Sequence, residues 1–236
     1  MPKNAAATIL DHLSVVEGER ACRVADPSLG DKVLALKHYQ QRRFERTYAD
    51  LLAHPRYARA SRFFLDELYG PVDFTRRDAQ FARVVPGMVR LFPDDVITTV
   101  ETLGALHALS EQFDTAMARQ LAGPIVTAAD YARAWKACGD REARTRQIDL
   151  LLRVGRALDA FTRIPWLHRS LRMMRLPARA AGLDALQAFL ESGFETFRAM
   201  HGAEEFLTLI ETRERALADA LFQEQSSDSG WLGQLP

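Results

Sequence analysis

Apolar residues recur along this chain at three- and four-residue spacing from one end to the other, and the strict alternation of a half-buried strand is essentially absent. The pattern predicts an all-α protein, an irregular multi-helix bundle of about nine helices. Its densest segment is residues 56–69, where Tyr57, Ala58, Ala60, Phe63, Phe64, Leu65, Leu68 and Tyr69 cover most of a helix circumference. Only Arg59, Arg62 and Asp66 make a polar strip there. A helix that is apolar nearly all round is packed on several sides, so this one is expected as the buried centre of the bundle.

Helix punctuation divides the rest. A first, weaker helix is expected over residues 6–24, before Asp26-Pro27, and a second from Asp31 to His54 with Val33, Leu34, Phe44, Tyr48, Leu51 and Leu52 on one face. Gly70-Pro71 supplies a left-handed cap and a stop after the central helix. Thr75 with Asp78 resembles a capping box, and Pro86-Gly87 is expected to kink or split the helix that follows. Pro93 opens a long helix to Leu121, with Asp94 and Asp95 favourable in its first turn. Thr127 with Asp130 opens a short helix to Cys138, and another runs from Asp140 to Thr162. A basic stretch over 165–176, a helix from Pro177 to His201 and a last one from Ala203 to Gln225 complete the set. Gly104, Gly155 and Gly193 fall on apolar faces, where close helix approach offsets their cost of about 1 kcal/mol each. Residues 1–225 therefore read as one domain, and 226–236, rich in Ser and Gly, as a flexible tail.

Composition narrows the function classes. With 31 basic and 31 acidic residues there is no net charge, hence no whole-protein attraction to nucleic acid or anionic lipid, and any such affinity must be local. Cys22 and Cys138 stand far apart with no second cysteine near either, which weighs against a disulfide framework and a cysteine zinc site. Neither a signal-peptide core nor an apolar run of membrane-spanning length is present, and a cytoplasmic location is expected.

The stretch Phe63-Phe64-Leu65-Asp66-Glu67-Leu68-Tyr69 resembles the signature of an uncharacterised bacterial family named for an FFLEELY motif, with Asp66 in place of its first glutamate. Arg175-Leu-Pro-Ala-Arg-Ala-Ala-Gly-Leu183 and Phe194-Glu-Thr-Phe197 are similar to further parts of that family. The resemblance implies a helical fold over most of the chain. It implies no activity and no catalytic residue.

No P-loop, dinucleotide-binding loop, nucleophile elbow, His-Glu-x-x-His pair or paired Glu-x-x-His of di-iron bundles is present. Four weaker constellations remain. On the long helix, His107, Glu111 and Asp114 lie one and two turns apart, a spacing from which a cation could be held with a further ligand such as Glu204, Glu205 or Asp159; the alternative is a hydrogen-bonded polar patch. His201 continues the stripe of Phe194 and Phe197, which suits a haem axial ligand or, more simply, a helix-terminal histidine before Gly202. Arg213 falls in the inward arc of the last helix, where it needs a carboxylate such as Asp114 or Asp159, or captures an anionic ligand.

The fourth constellation leads. No acidic residue lies between Asp159 and Asp184, while Arg163, Arg169, Arg172, Arg175 and Arg179 crowd the interval. As a helix, residues 166–176 gather Trp166, Leu167, Ser170, Leu171, Met173 and Met174, with His168 and the arginines opposite. Such a segment docks an acidic protein partner or an anionic membrane surface, unless its apolar side simply joins the core. The leading expectation is thus a non-enzymatic helical binding or adaptor protein that recognises an anionic partner through this segment. The alternative is a haem- or metal-binding bundle acting as sensor or oxidoreductase. Specific nucleic-acid binding is not expected, because one tryptophan makes no stacking platform.

Overall fold

A computed structural model describes residues 2–67, 70–223 and 235–236. Among them there is no strand, and twelve helical segments follow one another. They are α1 (Pro2–Ala25), α2 (Pro27–Thr47), α3 (Ala49–Ala53), α4 (Ala58–Glu67), α5 (Thr75–Leu91) and α6 (Asp94–Arg119). The second half adds α7 (Ala128–Ala137), α8 (Arg141–Thr162), α9 (Pro165–Met173), α10 (Arg175–Ala180), α11 (Asp184–Ala199) and α12 (Glu204–Phe222). The expected second helix divides at Tyr48 into α2 and α3, and the expected 177–201 helix divides into α10 and α11 at Gly182, whose φ of 67° is left-handed.

Several boundaries follow from local chemistry. Asp26 and Pro27 begin α2 rather than merely separating it from α1: the Asp26 carboxylate accepts the Leu29 amide at 3.2 Å, and proline takes the first turn. Thr127 and Asp130, expected to open α7, do so as a capping box. Thr75 and Asp78 do not; Asp78 turns inward instead, and the Asp73 carboxylate accepts the Thr75 amide at 2.9 Å. The α5 helix continues through Pro86 without splitting. Gly70 is not left-handed, and the positive φ angles fall at Gly182, His201 and Gly202. Glycine is still required at position 70, where a Cβ would sit 2.7 Å from the Asp66 carbonyl oxygen.

Ala60, Phe63, Phe64 and Leu65 of α4 are buried and Arg59, Arg62 and Asp66 are exposed, as the pattern predicts. Leu68 and Tyr69 lie outside the described residues. Phe64 packs edge-on to Phe206 of α12, ring centroids 5.5 Å apart, within a cluster that includes Tyr57, Phe197 and Leu207. The longest helix, α6, supplies a second axis: α1, α2, α5, α7 and α8 all pack on it. Leu34 of α2 points to solvent, and Leu36 and Tyr39 take the inward positions. A second cluster joins Tyr39, Tyr131, Trp135 and Leu221, and Leu235 is buried in it. The tail expected over 226–236 otherwise lies outside the described residues.

All three glycines singled out in the sequence meet a side chain from another helix. A Cβ at Gly104 would touch His12 at 3.4 Å, one at Gly193 would lie 3.1 Å from the Phe63 ring, and one at Gly155 would lie 2.6 Å from a Leu207 methyl. Leu207 and Phe63 are themselves buried and have nowhere to retreat. Gly155→Ala is therefore expected to lower unfolding free energy by about 1–3 kcal/mol, the overpacking cost exceeding the gain in helix propensity. Urea denaturation followed by circular dichroism measures this; an unchanged or raised midpoint would show that the two helices are not in close contact.

Candidate functional site

The inward faces of α2, α5, α6, α8 and α11 do not close on one another. They leave a cavity of about 540 Å³, within the size range of small-molecule sites. Its outer end is walled by Leu91 of α5, Leu171 of α9, Met174 at the end of that helix, and Leu190 of α11. Leu91 there is 81% exposed, so this end meets solvent. The walls run inward past Val100, Leu103 and Leu106 of α6 and Leu151 of α8 to Tyr131 and Trp135 of α7.

Polar side chains enter this apolar space at two places. Midway, the Nε2 of His107 lies 2.8 Å from the Asp78 carboxylate, which also accepts Arg20 at 2.7 Å and Arg77 at 3.3 Å. Burial alone would raise the Asp78 pKa; the hydrogen bond and charge of His107, with Arg77 and Arg20, outweigh it and hold the carboxyl at about 2. The Arg77 guanidinium is buried between the rings of Phe74 and Phe189, 3.9 and 4.4 Å from their centroids.

At the inner end the charges are denser. Glu111 is bound by Arg23 and by Lys37, the latter at 2.7 Å. Burial would raise its pKa, yet the two cations bring it down to about 2. Asp114 accepts Gln40 at 3.1 Å, with Lys37 3.6 Å away; burial and the neighbouring Glu111 push its pKa up. Glu214 of α12 accepts Arg43 and the Tyr48 hydroxyl, both at 2.7 Å. Arg144 of α8 lies against Phe113 and Trp135, its Cζ 3.6 and 3.8 Å from the ring centroids. Its guanidinium reaches only Gln147 at 3.2 Å and the Met117 sulfur at 3.0 Å. Burial lowers its pKa to about 10, which leaves it charged at neutral pH.

The sequence-predicted residues distribute unevenly. His107, Glu111 and Asp114 all line the cavity, but His107 faces Asp78 while Glu111 and Asp114 share Lys37. Among the described residues no three His, Cys, Asp or Glu side chains converge as metal ligands. Of the further ligands considered, Glu205 holds Tyr57 and Arg56, and Asp159 accepts the Ala203 amide at 3.0 Å. His201 is exposed with φ 52° and lies just beyond the end of α11. Arg213 pairs with Asp50 through two bonds of 2.7 Å and donates to the Thr47 carbonyl; neither Asp114 nor Asp159 is its partner, because the α12 position that turns inward is Glu214.

On the basic segment the faces differ from the expected partition. Leu167 and Leu171 face inward as expected, and His168 joins them, stacked on Phe194 and bonded to Glu195 at 2.5 Å. Trp166, Met173 and Leu176 turn out to solvent at 50%, 77% and 76% exposure, in company with the exposed arginines. Arg163 pairs with Asp159 and Arg175 with Glu191, both at 2.7 Å. Arg169, Arg172 and Arg179 make no ion pair among the described residues.

Asp78, Arg144 and Glu214 were not among the expected site residues, although spacing marks each. Arg144 continues the stripe of Ile148, Leu151 and Gly155; Glu214 stands between Ile210 and Leu217; Asp78 precedes Phe81 and Val85.

Fold and cavity together define an all-α helical-bundle domain with a ligand-sized, largely apolar interior and a charged inner end. The chain belongs to the family described as a domain of unknown function, DUF8198, which matches residues 19–228. No curated protein matches it, and no solved structure does.

Ionised Asp78 and Glu111 have lowered pKa values, so their stabilising contribution is complete above the ordinary carboxylate pKa near 4 and is lost as pH falls toward 2. Asp114, shifted upward, has the opposite slope and acts at higher pH. Asp78→Asn is expected to cost about 3 kcal/mol at pH 7, by leaving Arg20, Arg77 and His107 without their shared carboxylate. The variant should also lose less stability than the parent between pH 4 and pH 2. Urea titrations at pH 7, 4 and 2.5 measure both; parallel pH profiles would remove Asp78 from the acid response.

Proposed function

We propose that this protein is a binding protein for an amphipathic small molecule held in the cavity between α5, α6, α8 and α11. The observation that carries the reading is the cavity's construction: about 540 Å³, apolar along its walls, with charged side chains gathered at its inner end and exposed apolar residues at its mouth. Binding requires no chemistry of the site, in keeping with a non-enzymatic role. A neutral environment-sensitive fluorophore such as N-phenyl-1-naphthylamine should bind with saturable enhancement near one per chain. Val84→Trp, which fills the cavity from α5, should weaken that binding by about tenfold or more with the helical spectrum unchanged. Enhancement that fails to saturate, or that ignores the tryptophan, would refute an internal site.

A second reading concerns the mouth. Trp166, Met173 and Leu176 share the solvent side of α9 and α10 with Arg169, Arg172 and Arg179, a combination suited to the interface of an anionic bilayer. The apolar members favour a membrane over an acidic protein, since they gain by insertion. No described helix is long and apolar enough to cross a membrane, so the contact is peripheral. Replacing the three arginines with glutamate should reduce sedimentation with phosphatidylglycerol vesicles by about a hundredfold or more in affinity, at roughly 1 kcal/mol per basic residue. Equal recovery of parent and variant, or equal binding to phosphatidylcholine alone, would dispose of it. Capture by polyglutamate without capture by vesicles would move the surface to a protein partner.

A further inference from the structure

The buried charges at the inner end of the cavity do not cancel. Glu214 is matched by Arg43, and Glu111 with Asp114 is matched by Arg23 and Lys37. Arg144 is left over. It is 4% exposed and has no carboxylate within ion-pair distance among the described residues. Its Nε and the Nε1 of Trp135 are both buried donors without an acceptor, on two adjacent side chains that line the same cavity. A guanidinium removed from water is costly unless an anion meets it, and each of these two neighbouring side chains still has a donor to offer one.

We propose that the inner end of the cavity is a carboxylate site and that the ligand is a long-chain monocarboxylate of fatty-acid type. Its head takes the free donors of Arg144 and Trp135, and its chain lies along Leu151, Leu106 and Leu103 toward the mouth at Leu171 and Met174. The aromatic sandwich of Phe113 and Trp135 holds the guanidinium plane in place, so binding requires no rearrangement of the cation. Asp114 does not fill this role, because Gln40 and Lys37 already hold its carboxyl. The inference rests on the cavity being a ligand site, and adds to it the chemistry of the head group.

Calorimetric titration of the full chain with dodecanoate, 1-dodecanol and dodecylammonium, each below its aggregation limit, separates the two readings. The parent should prefer dodecanoate over dodecanol by about tenfold or more, a preference typical of a charge-assisted pair. Arg144→Met should remove that preference while still binding dodecanol, and Trp135→Phe should reduce it several-fold. Should Arg144→Met not fold, the head-group order in the parent and the effect of Trp135→Phe decide the matter alone. Equal affinity for acid and alcohol, or preference for the ammonium, overturns the carboxylate site and leaves the cavity reading intact. Binding of none of the three chains overturns both.

Discussion

Charge removed from water inside a helical bundle is the constraint around which this molecule is arranged. Each carboxylate on the inner faces of α5, α6 and α12 meets at least one cation from an element distant in sequence: Asp78 meets Arg20, Glu111 meets Arg23 and Lys37, and Glu214 meets Arg43. Desolvation of such groups costs several kcal/mol apiece, so the helices that carry them must meet in one register or the pairs are broken. The two N-terminal helices α1 and α2 supply most of the cations, and α6 the largest share of the acceptors. The apolar clusters make the bundle compact, and the ion pairs fix which helix lies beside which.

This arrangement explains what was legible in the sequence. Burial on α4, the capping box at Thr127 and the close-approach glycines are local or single-helix properties, and spacing reveals them. The 3.6-residue period also placed His107, Glu111 and Asp114 on the inner side of α6. It could not supply partners, because those come from α1, α2 and α5, tens of residues away. On α12 one residue decides the chemistry: Arg213 and Glu214 both lie near the inward arc, and it is the carboxylate that is buried. On α9 the arginines suggested a cleanly divided helix, yet stacking of His168 on Phe194 turns the segment, and Trp166 and Met173 emerge among the arginines. Asp78 resembles a cap in the sequence because its distance to Thr75 is visible there and its spatial distance to His107 is not.

The neutral total charge conceals an uneven distribution. The exposed side of α9 and α10 carries arginines without a single acid of its own, while at the inner end of the cavity Arg144 has no carboxylate within ion-pair distance among the described residues. Screening by salt weakens the exposed positive region more than the buried one.

The cavity itself is difficult to reconcile with a purely structural protein. At about 24 cal/mol per Å³, a dry void of about 540 Å³ would cost on the order of 13 kcal/mol, comparable to the whole stability of a typical domain. Water relieves that cost at the polar inner end and at the open mouth, where side chains or bulk solvent offer it hydrogen bonds. It finds fewer partners against the leucines of α6 and α8 than beside the midway His107 and Asp78. An apolar chain satisfies those leucines, and a carboxylate satisfies Arg144 beyond them, so one amphiphilic occupant resolves both deficits at once. A bundle selected only for stability would close on smaller spaces, as the tight contacts at Gly155 and Gly193 show these helices are able to do.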